Sequence, residues 1–335
     1  MLASLRKRLR TWRNSQTGAL RALYDRMDSV QLALGRIEAR QTGALRALYD
    51  RMDSIQLALG RIEARQTTGL PVGALAEAEF KVSSQWGEDG IMEHLLRHVP
   101  IDRTIFVEFG VENYREANTR FLLVNRNWSG LVLDGSQENI DFIRRDSIAW
   151  RHDLTARAAF ITCENINDLI AGAGIEGDIG ILSIDIDGND YWVWDQVSVI
   201  SPRIVIAEYN GIYGASATVS IPYDPAFYRT TAHHSNLYWG CSLAALAYVA
   251  ERKGYTLVGS NSNGNNAFFV RRDVAGTFTA LSPQAAYRAA KYRESRDAQG
   301  HLTFLSPDEG RRLISTMKLI DVVSGATITV ADIPK

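Results

Sequence analysis

The sequence predicts an α/β fold: a parallel sheet closed by an antiparallel hairpin and preceded by a helical stalk. Three observations carry that expectation. Five apolar runs, at 104–108 (TIFVE), 130–134 (GLVLD), 158–162 (AAFIT), 180–185 (GILSID) and 203–208 (RIVIAE), show no alternation, as strands buried on both faces do. Helical patterns such as 138–145 and 164–171 separate most of them, which implies parallel strands joined by right-handed crossovers. After a helix expected at 242–252, the runs 255–258 and 267–271 flank Asn263-Gly264, a hairpin signal.

The stalk rests on an internal repeat. Residues 16–40 recur at 41–65 with one change, Val30 to Ile55, and a third copy begins at Gln66 and stops. Within a copy Leu20, Leu23, Met27, Val30, Leu34 and Ile37 are spaced 3, 4, 3, 4, 3, which is a coiled-coil seam. Gln41 takes the next seam position, where a polar residue can set register. Stepping back one repeat from Met27, Val30, Leu34 and Ile37 lands on Leu2, Leu5, Leu9 and Trp12, so the seam reaches the start of the chain. A lone helix with so narrow a stripe is marginal in water, and a homo-oligomer is the simple expectation. Arg6, Lys7, Arg8, Arg10 and Arg13 lie opposite those apolar residues. Residues 1–13 therefore read equally as a peripheral membrane contact on anionic lipid or as the first turns of the stalk.

The expected organisation is a coiled-coil stalk at 1–66, a Gly/Pro linker at 67–79, an α/β domain at 80–275 with an insertion at 211–240, and an extension at 276–335. With 37 basic and 38 acidic residues the net charge is −1, which argues against a nucleic-acid binder. Two cysteines, Cys163 and Cys241, cannot build a disulfide framework. No apolar run spans a bilayer, and the start lacks the apolar core of a secretory signal. A cytoplasmic location follows as the expectation, with the inner membrane surface open through residues 1–13.

In open α/β sheets ligands bind at the carboxyl ends of the strands. Four of the expected strands end in Glu108, Asp134, Asp185 and Glu208. Any one of these could be a helix cap, but four together point to a site. With Ser84-Gln85-Trp86-Gly87-Glu88-Asp89-Gly90 ahead of the first strand and Phe106-Val107-Glu108-Phe109-Gly110 at its end, residues 83–273 resemble class I S-adenosylmethionine-dependent methyltransferases of the FkbM type. The resemblance implies a Rossmann-like sheet, S-adenosylmethionine as cofactor, and a cofactor set of Gln85, Glu108, Gly110, Asn113, Asp134 and Ser136. Asp134 falls where that family places an acid on the ribose hydroxyls, and a carboxylate suits a vicinal diol. The turn after the first strand departs from the family. Val111-Glu112-Asn113-Tyr114-Arg115 follows Gly110 in place of a glycine-rich turn. Glu112 would repel the cofactor's carboxylate unless Arg115 or another cation compensates.

The segment Ser183-Ile184-Asp185-Ile186-Asp187-Gly188-Asn189-Asp190 crowds three acids at a strand end, which suits a hard oxygen-liganded cation such as Mg²⁺ or Mn²⁺. It also resembles the Asp-Gly-Asp segment of metal-dependent sugar O-methyltransferases of the macrocin type. That likeness implies Asp185 and Glu208 as ligands, completed by Asp187 or Asn210, and a saccharide or glycan hydroxyl as acceptor. The same residues could instead form a turn and helix cap. The insertion at 211–240 carries Tyr213, Tyr223, Tyr228, Tyr238 and Trp239, suited to a sugar, and His233-His234, either of which could serve with Asp185 in catalysis as general base. Its aromatics could equally be a small core of their own. Beyond it, a basic helix at 287–296, a helix at 305–317 and a strand at 326–330 are expected, with no role assigned. Two other functions stay open: a metal-dependent glycosyltransferase using Asp185-Ile186-Asp187, and a non-catalytic ligand-binding coiled-coil scaffold.

Overall fold

The computed structural model describes Leu48, residues 51–291 and residues 293–334. Residues 1–13 and the repeat copy at 16–40 lie outside the described residues. The chain parts into two units, 1–58 and 59–335. In the first, residues 51–58 are helical, and the seam residues Leu48, Met52 and Ile55 are each half or more exposed. In the second, helix covers 59–66 and ends in the 3-10 turn Thr67–Gly69. The segment expected as a linker is packed, not free: in the helix Leu75–Ala78 both end residues are buried, and the Val72 carbonyl contacts His94 Nε2 at 3.0 Å.

Five parallel strands form the body: β1 (Ile105–Phe109), β2 (Ser129–Asp134), β3 (Leu154–Ala158), β4 (Gly177–Ile184) and β5 (Ile200–Glu208). A two-residue strand, β6 (Val219–Ser220), precedes the hairpin of β7 (Tyr255–Ser260) and β8 (Asn266–Arg271). The sheet order is β3-β2-β1-β4-β5-β8-β7, with β8 antiparallel to both its neighbours. This is a Rossmann-like sheet whose parallel strands are closed by an antiparallel hairpin, as the sequence predicts. Successive residues of the central strands bury on opposite faces: Val107, Leu131, Leu182 and Val205 pack in one core, and Phe106, Val132, Ile181 and Ile204 in the other. Two apolar faces explain why these strands read as unbroken apolar runs.

The third strand is the exception. It lies at 154–158, not 158–162, and is an edge strand whose Thr155 is exposed and whose Arg157 reaches the Gly172 carbonyl at 2.7 Å. An edge strand need not be apolar on both faces, so the run at 158–162 pointed to the wrong residues. Ala159, Phe160 and Ile161 instead line the cavity described below.

The tail is also different from the expectation. Residues 287–291 and 293–296 are not helical: the Tyr209 hydroxyl donates to the Arg288 carbonyl at 2.9 Å, and Lys291 N donates to the Asn263 carbonyl at 2.9 Å. The backbone finds partners on the sheet instead of in itself. Gly264 (φ +82°) permits this approach, since a Cβ there would lie 2.6 Å from the Arg288 and Ala289 carbonyl oxygens. The helix Pro307–Leu313 is closed by a capping box between Ser306 and Glu309. It leads into β9 (Lys318–Asp321) and β10 (Thr327–Thr329), which pair antiparallel, and β9 also pairs with β6. Tyr213, Val219, Ile221 and Tyr238 of the insertion share a small core with Ile314, Leu319 and Val330 of the tail. The tail thereby holds the insertion over the carboxyl end of the sheet.

Candidate active site

The strand order reverses between β1 and β4, and there a cavity of about 930 Å³ opens at the carboxyl ends. Glu108, Asp134, Asp185 and Glu208 all line it. Gly110 (φ +69°) closes the end of β1 against the neighbouring strand end: a Cβ there would lie 1.7 Å from the Asp185 carbonyl oxygen. No side chain fits, so this glycine is required by the crossing itself.

On the β1–β2 side, the acids are already engaged. Glu108 accepts from Asn118 N at 2.8 Å, Thr119 N at 3.1 Å and Ser183 Oγ at 3.3 Å, fixing the entry to the helix Arg120–Arg126. Burial pushes its carboxyl up. Asp134 accepts from Glu112 N at 2.7 Å, Ser136 N at 2.8 Å and Asn139 Nδ2 at 3.0 Å. A carboxylate has about four lone-pair sites, so Asp134 retains room for one further donor, not the two of a whole diol. Ser136 lines the cavity but its hydroxyl caps the helix Gln137–Arg145 through Asn139 N. Gln85 also lines it, beside Trp86, whereas Asn113 does not: its Oδ1 accepts from Arg115 N at 3.1 Å and closes the turn. Arg115 stacks on Phe142 at 5.2 Å and does not offset Glu112 in the cavity. Glu112 (φ 45°) and Tyr114 (φ 61°) hold left-handed backbone that glycine would take more easily.

The segment ahead of β1 is held by its own acids. Glu88 accepts from Trp86 N and Gly87 N at 2.9 and 3.0 Å, and from Asn261 and Asn266 side chains at 2.7 and 3.0 Å. Asp89 accepts from the Val82, Ser83 and Ser84 amides, and its burial moves the carboxyl to about 6. Both acids shape the wall of the cavity without touching its space.

On the β4–β5 side, one ligand oxygen from each of Asp185, Asp187 and Glu208 lies within 4.8 Å of the others. Burial, then the neighbouring carboxylates, raise Asp185 and Glu208 well above the ordinary range. Glu208 Oε2 is buried without a hydrogen-bond partner. An oxygen-seeking cation fits an orphaned carboxylate oxygen beside two further acids. The turn reading belongs to Asp190 instead, which closes the turn ahead of its own helix by accepting from Ile186 N and Gly188 N, both at 2.9 Å, while the N-cap Asn189 makes no side-chain cap bond. Asn210 is not part of this group. Its Nδ2 donates to the Leu237 and Trp239 carbonyls, each at 3.0 Å, and its Oδ1 accepts from Ile212 N.

His233 and His234 do not line the cavity. His233 Nδ1 contacts Ser235 Oγ at 2.7 Å and the two rings stack at 4.3 Å. Burial lowers His233, with the neighbouring imidazole adding to the effect. Tyr213 and Trp239 are buried, so of the insertion's aromatics Phe227 and Tyr228 face the cavity. Residues with no distinctive sequence signal complete the lining: Asn139, Phe160, Arg229, Asn265 and Asn266, with Glu294 and Arg296 from the tail. Only the folded tail and insertion bring the last of these to the strand ends.

No family model matches the sequence, and no curated protein does. Among solved structures, the N-terminal domain of EvdMO1 with SAH bound is similar at a TM-score of 0.37 and 14% identity, over 64% of this chain and 94% of that one. The same domain in the presence of SAH and D-fucose gives the same values. An S-adenosylmethionine-dependent methyltransferase from Clostridium acetobutylicum is similar at a TM-score of 0.36 and 9% identity, over 55% of this chain and 90% of that one.

Proposed function

We propose that this chain is an S-adenosylmethionine-dependent O-methyltransferase acting on a saccharide or glycan hydroxyl with the help of Mg²⁺ or Mn²⁺. One observation carries the reading: the four strand-terminal acids meet in one cavity at the switch point of a sheet of this type. The lining sets Glu108, Glu112, Glu116, Asp134, Asp185, Asp187, Glu208 and Glu294 against Arg229 and Arg296. So acidic a space favours a cationic cofactor and a divalent ion, and disfavours the diphosphate of a sugar nucleotide.

Asp134 and the backbone around Gly110 and Ser136 would hold the cofactor, which supplies an electrophilic methyl group on sulfur. Asp185, Asp187 and Glu208 would hold the divalent ion, whose chemistry is to acidify a hydroxyl bound to it. Tyr228 offers an exposed aromatic face at the rim and Asn265 and Asn266 offer amides, a combination suited to a sugar ring. With the ion bound, its charge would hold Asp185 ionised, and the carboxylate oxygen left free would be the group placed to take the proton of the acceptor hydroxyl.

Methyl transfer from labelled S-adenosylmethionine to a panel of glycans, with Mn²⁺ or with EDTA, tests this. Transfer should require the cation and vanish in Asp185→Asn. Full transfer in EDTA, or in that variant, rejects the metal mechanism. For the stalk we propose a homo-oligomer, supported by the seam residues Leu59 and Ile62, each about half exposed like those before them. A full-length chain that light scattering finds monomeric at micromolar concentration would rule it out.

A further inference from the structure

A guanidinium occupies one of the three carboxylates of the cation site. Arg229, first residue of the helix Arg229–Ala232 in the insertion, pairs through Nη1 with Asp187. Its Nη2 lies 3.7 Å from Glu294 Oε2 in the tail. Further contacts anchor its Nε and its ring-facing side: Nε donates to the Asn236 carbonyl at 3.0 Å, and the guanidinium stacks over Trp239 at 4.7 Å. With its side chain only 17% exposed, Arg229 is a placed group and not a surface charge that drifts.

A divalent ion at Asp185, Asp187 and Glu208 and a guanidinium on Asp187 compete for the same oxygens, and their like charges repel. Glu294, already within ion-pair distance, offers the guanidinium a second partner to close on. Its Oε1 is held by Arg296 Nε at 3.2 Å and Asn236 Nδ2 at 3.4 Å, while Oε2 faces Arg229. Resting on the metal reading above, we propose that Arg229 is the resident counter-ion of the cation site, passing from Asp187 to Glu294 when a divalent ion enters. Arg229 is thus a positioning residue that sets cation affinity, and Glu294 carries cation occupancy into the tail. The sequence could not show this pairing, because residues 187, 229 and 294 come from three separate segments.

Mn²⁺ binding to the full-length chain, followed by the loss of the free-ion EPR signal, tests it. Arg229→Gln should bind Mn²⁺ about fivefold more tightly, the release of one partly exposed ion pair. Arg229→Met, which keeps an apolar stem against Trp239, should do the same if glutamine unsettles the fold. Arg229→Lys keeps the charge and should stay near the parent value. Glu294→Gln should weaken binding in the parent and have no effect beside Arg229→Gln. Unchanged or weaker binding in folded Arg229→Gln and Arg229→Met overturns the counter-ion role. Equal loss from Glu294→Gln in both backgrounds overturns the transfer to Glu294. Absence of Mn²⁺ binding in parent and Arg229→Gln alike removes the metal reading beneath both.

Discussion

Replacing Glu112 by glycine should stabilise the protein and tighten its hold on the cofactor. Glu112 sits at φ 45°, and its amide donates to Asp134 Oδ2 at 2.7 Å. The left-handed backbone is therefore what aims this amide at the cavity. A side chain in that region costs about 1–2 kcal/mol, and glycine's extra freedom in the unfolded chain returns about 0.5–1 kcal/mol of that. The net gain is about 0.5–1 kcal/mol, or a rise in melting temperature of about 1–4 °C for a body of this size. Glu112→Ala is the control, since alanine removes the charge and keeps the Cβ. Thermal melts should rank glycine above alanine, with alanine near the parent. Calorimetry with S-adenosylmethionine should show tighter binding in both variants, because in the proposed pose Glu112 would lie beside the cofactor's carboxylate, a local repulsion that outweighs its share of the cavity's negative charge. Equal melting of the glycine and alanine variants, or a lower melt for glycine, would refute the strain argument. Unchanged affinity in both would refute the charge argument.

Burial moves Asp89 and Asp190 to about 6 and pushes Asp185 and Glu208 well up, so the native fold keeps protons that the unfolded chain releases near pH 4. These four groups therefore contribute stability in EDTA that falls as pH rises from about 4 through 6 and beyond, while His94, His152 and His233, lowered by burial, contribute in the opposite sense. Added Mn²⁺ should raise the melting temperature mainly above pH 6, and a Mn²⁺ effect as large below pH 6 as above it contradicts the assignment. His233→Ala and His234→Ala should each leave methyl transfer within about twofold of the parent, since neither ring lines the cavity. A loss of more than about tenfold would return a histidine to the role of general base.

The central strands and the acids at their ends were legible because burial on both faces leaves an unbroken apolar run, and a strand-terminal carboxylate stands out against it. Edge strand β3 was misplaced for the same reason: Thr155 and Arg157 face outward and weaken the signal, while Phe160 lends apolarity to a loop. Asp185, Asp187 and Glu208 could be grouped because β4 and β5 are adjacent. Asn210 and the histidine pair could not be separated from them by spacing. Their side chains are spent on local bonds, Asn210 on the Leu237 and Trp239 carbonyls and His233 on Ser235. The tail was the least legible part. Residues 287–296 have helical composition, but the hairpin loop at Asn263 and Gly264 captures their backbone, and tertiary contact overrides propensity there.

On the proposed function, the strand-end cavity takes S-adenosylmethionine. Calorimetric titration of the full-length chain with S-adenosylmethionine and with nucleotide sugars, each with and without Mn²⁺, tests it most directly. Saturable binding of S-adenosylmethionine, and none of the nucleotide sugars, is the expected result. No binding of S-adenosylmethionine under either condition, or Mn²⁺-dependent binding of a nucleotide sugar in its place, would contradict the account.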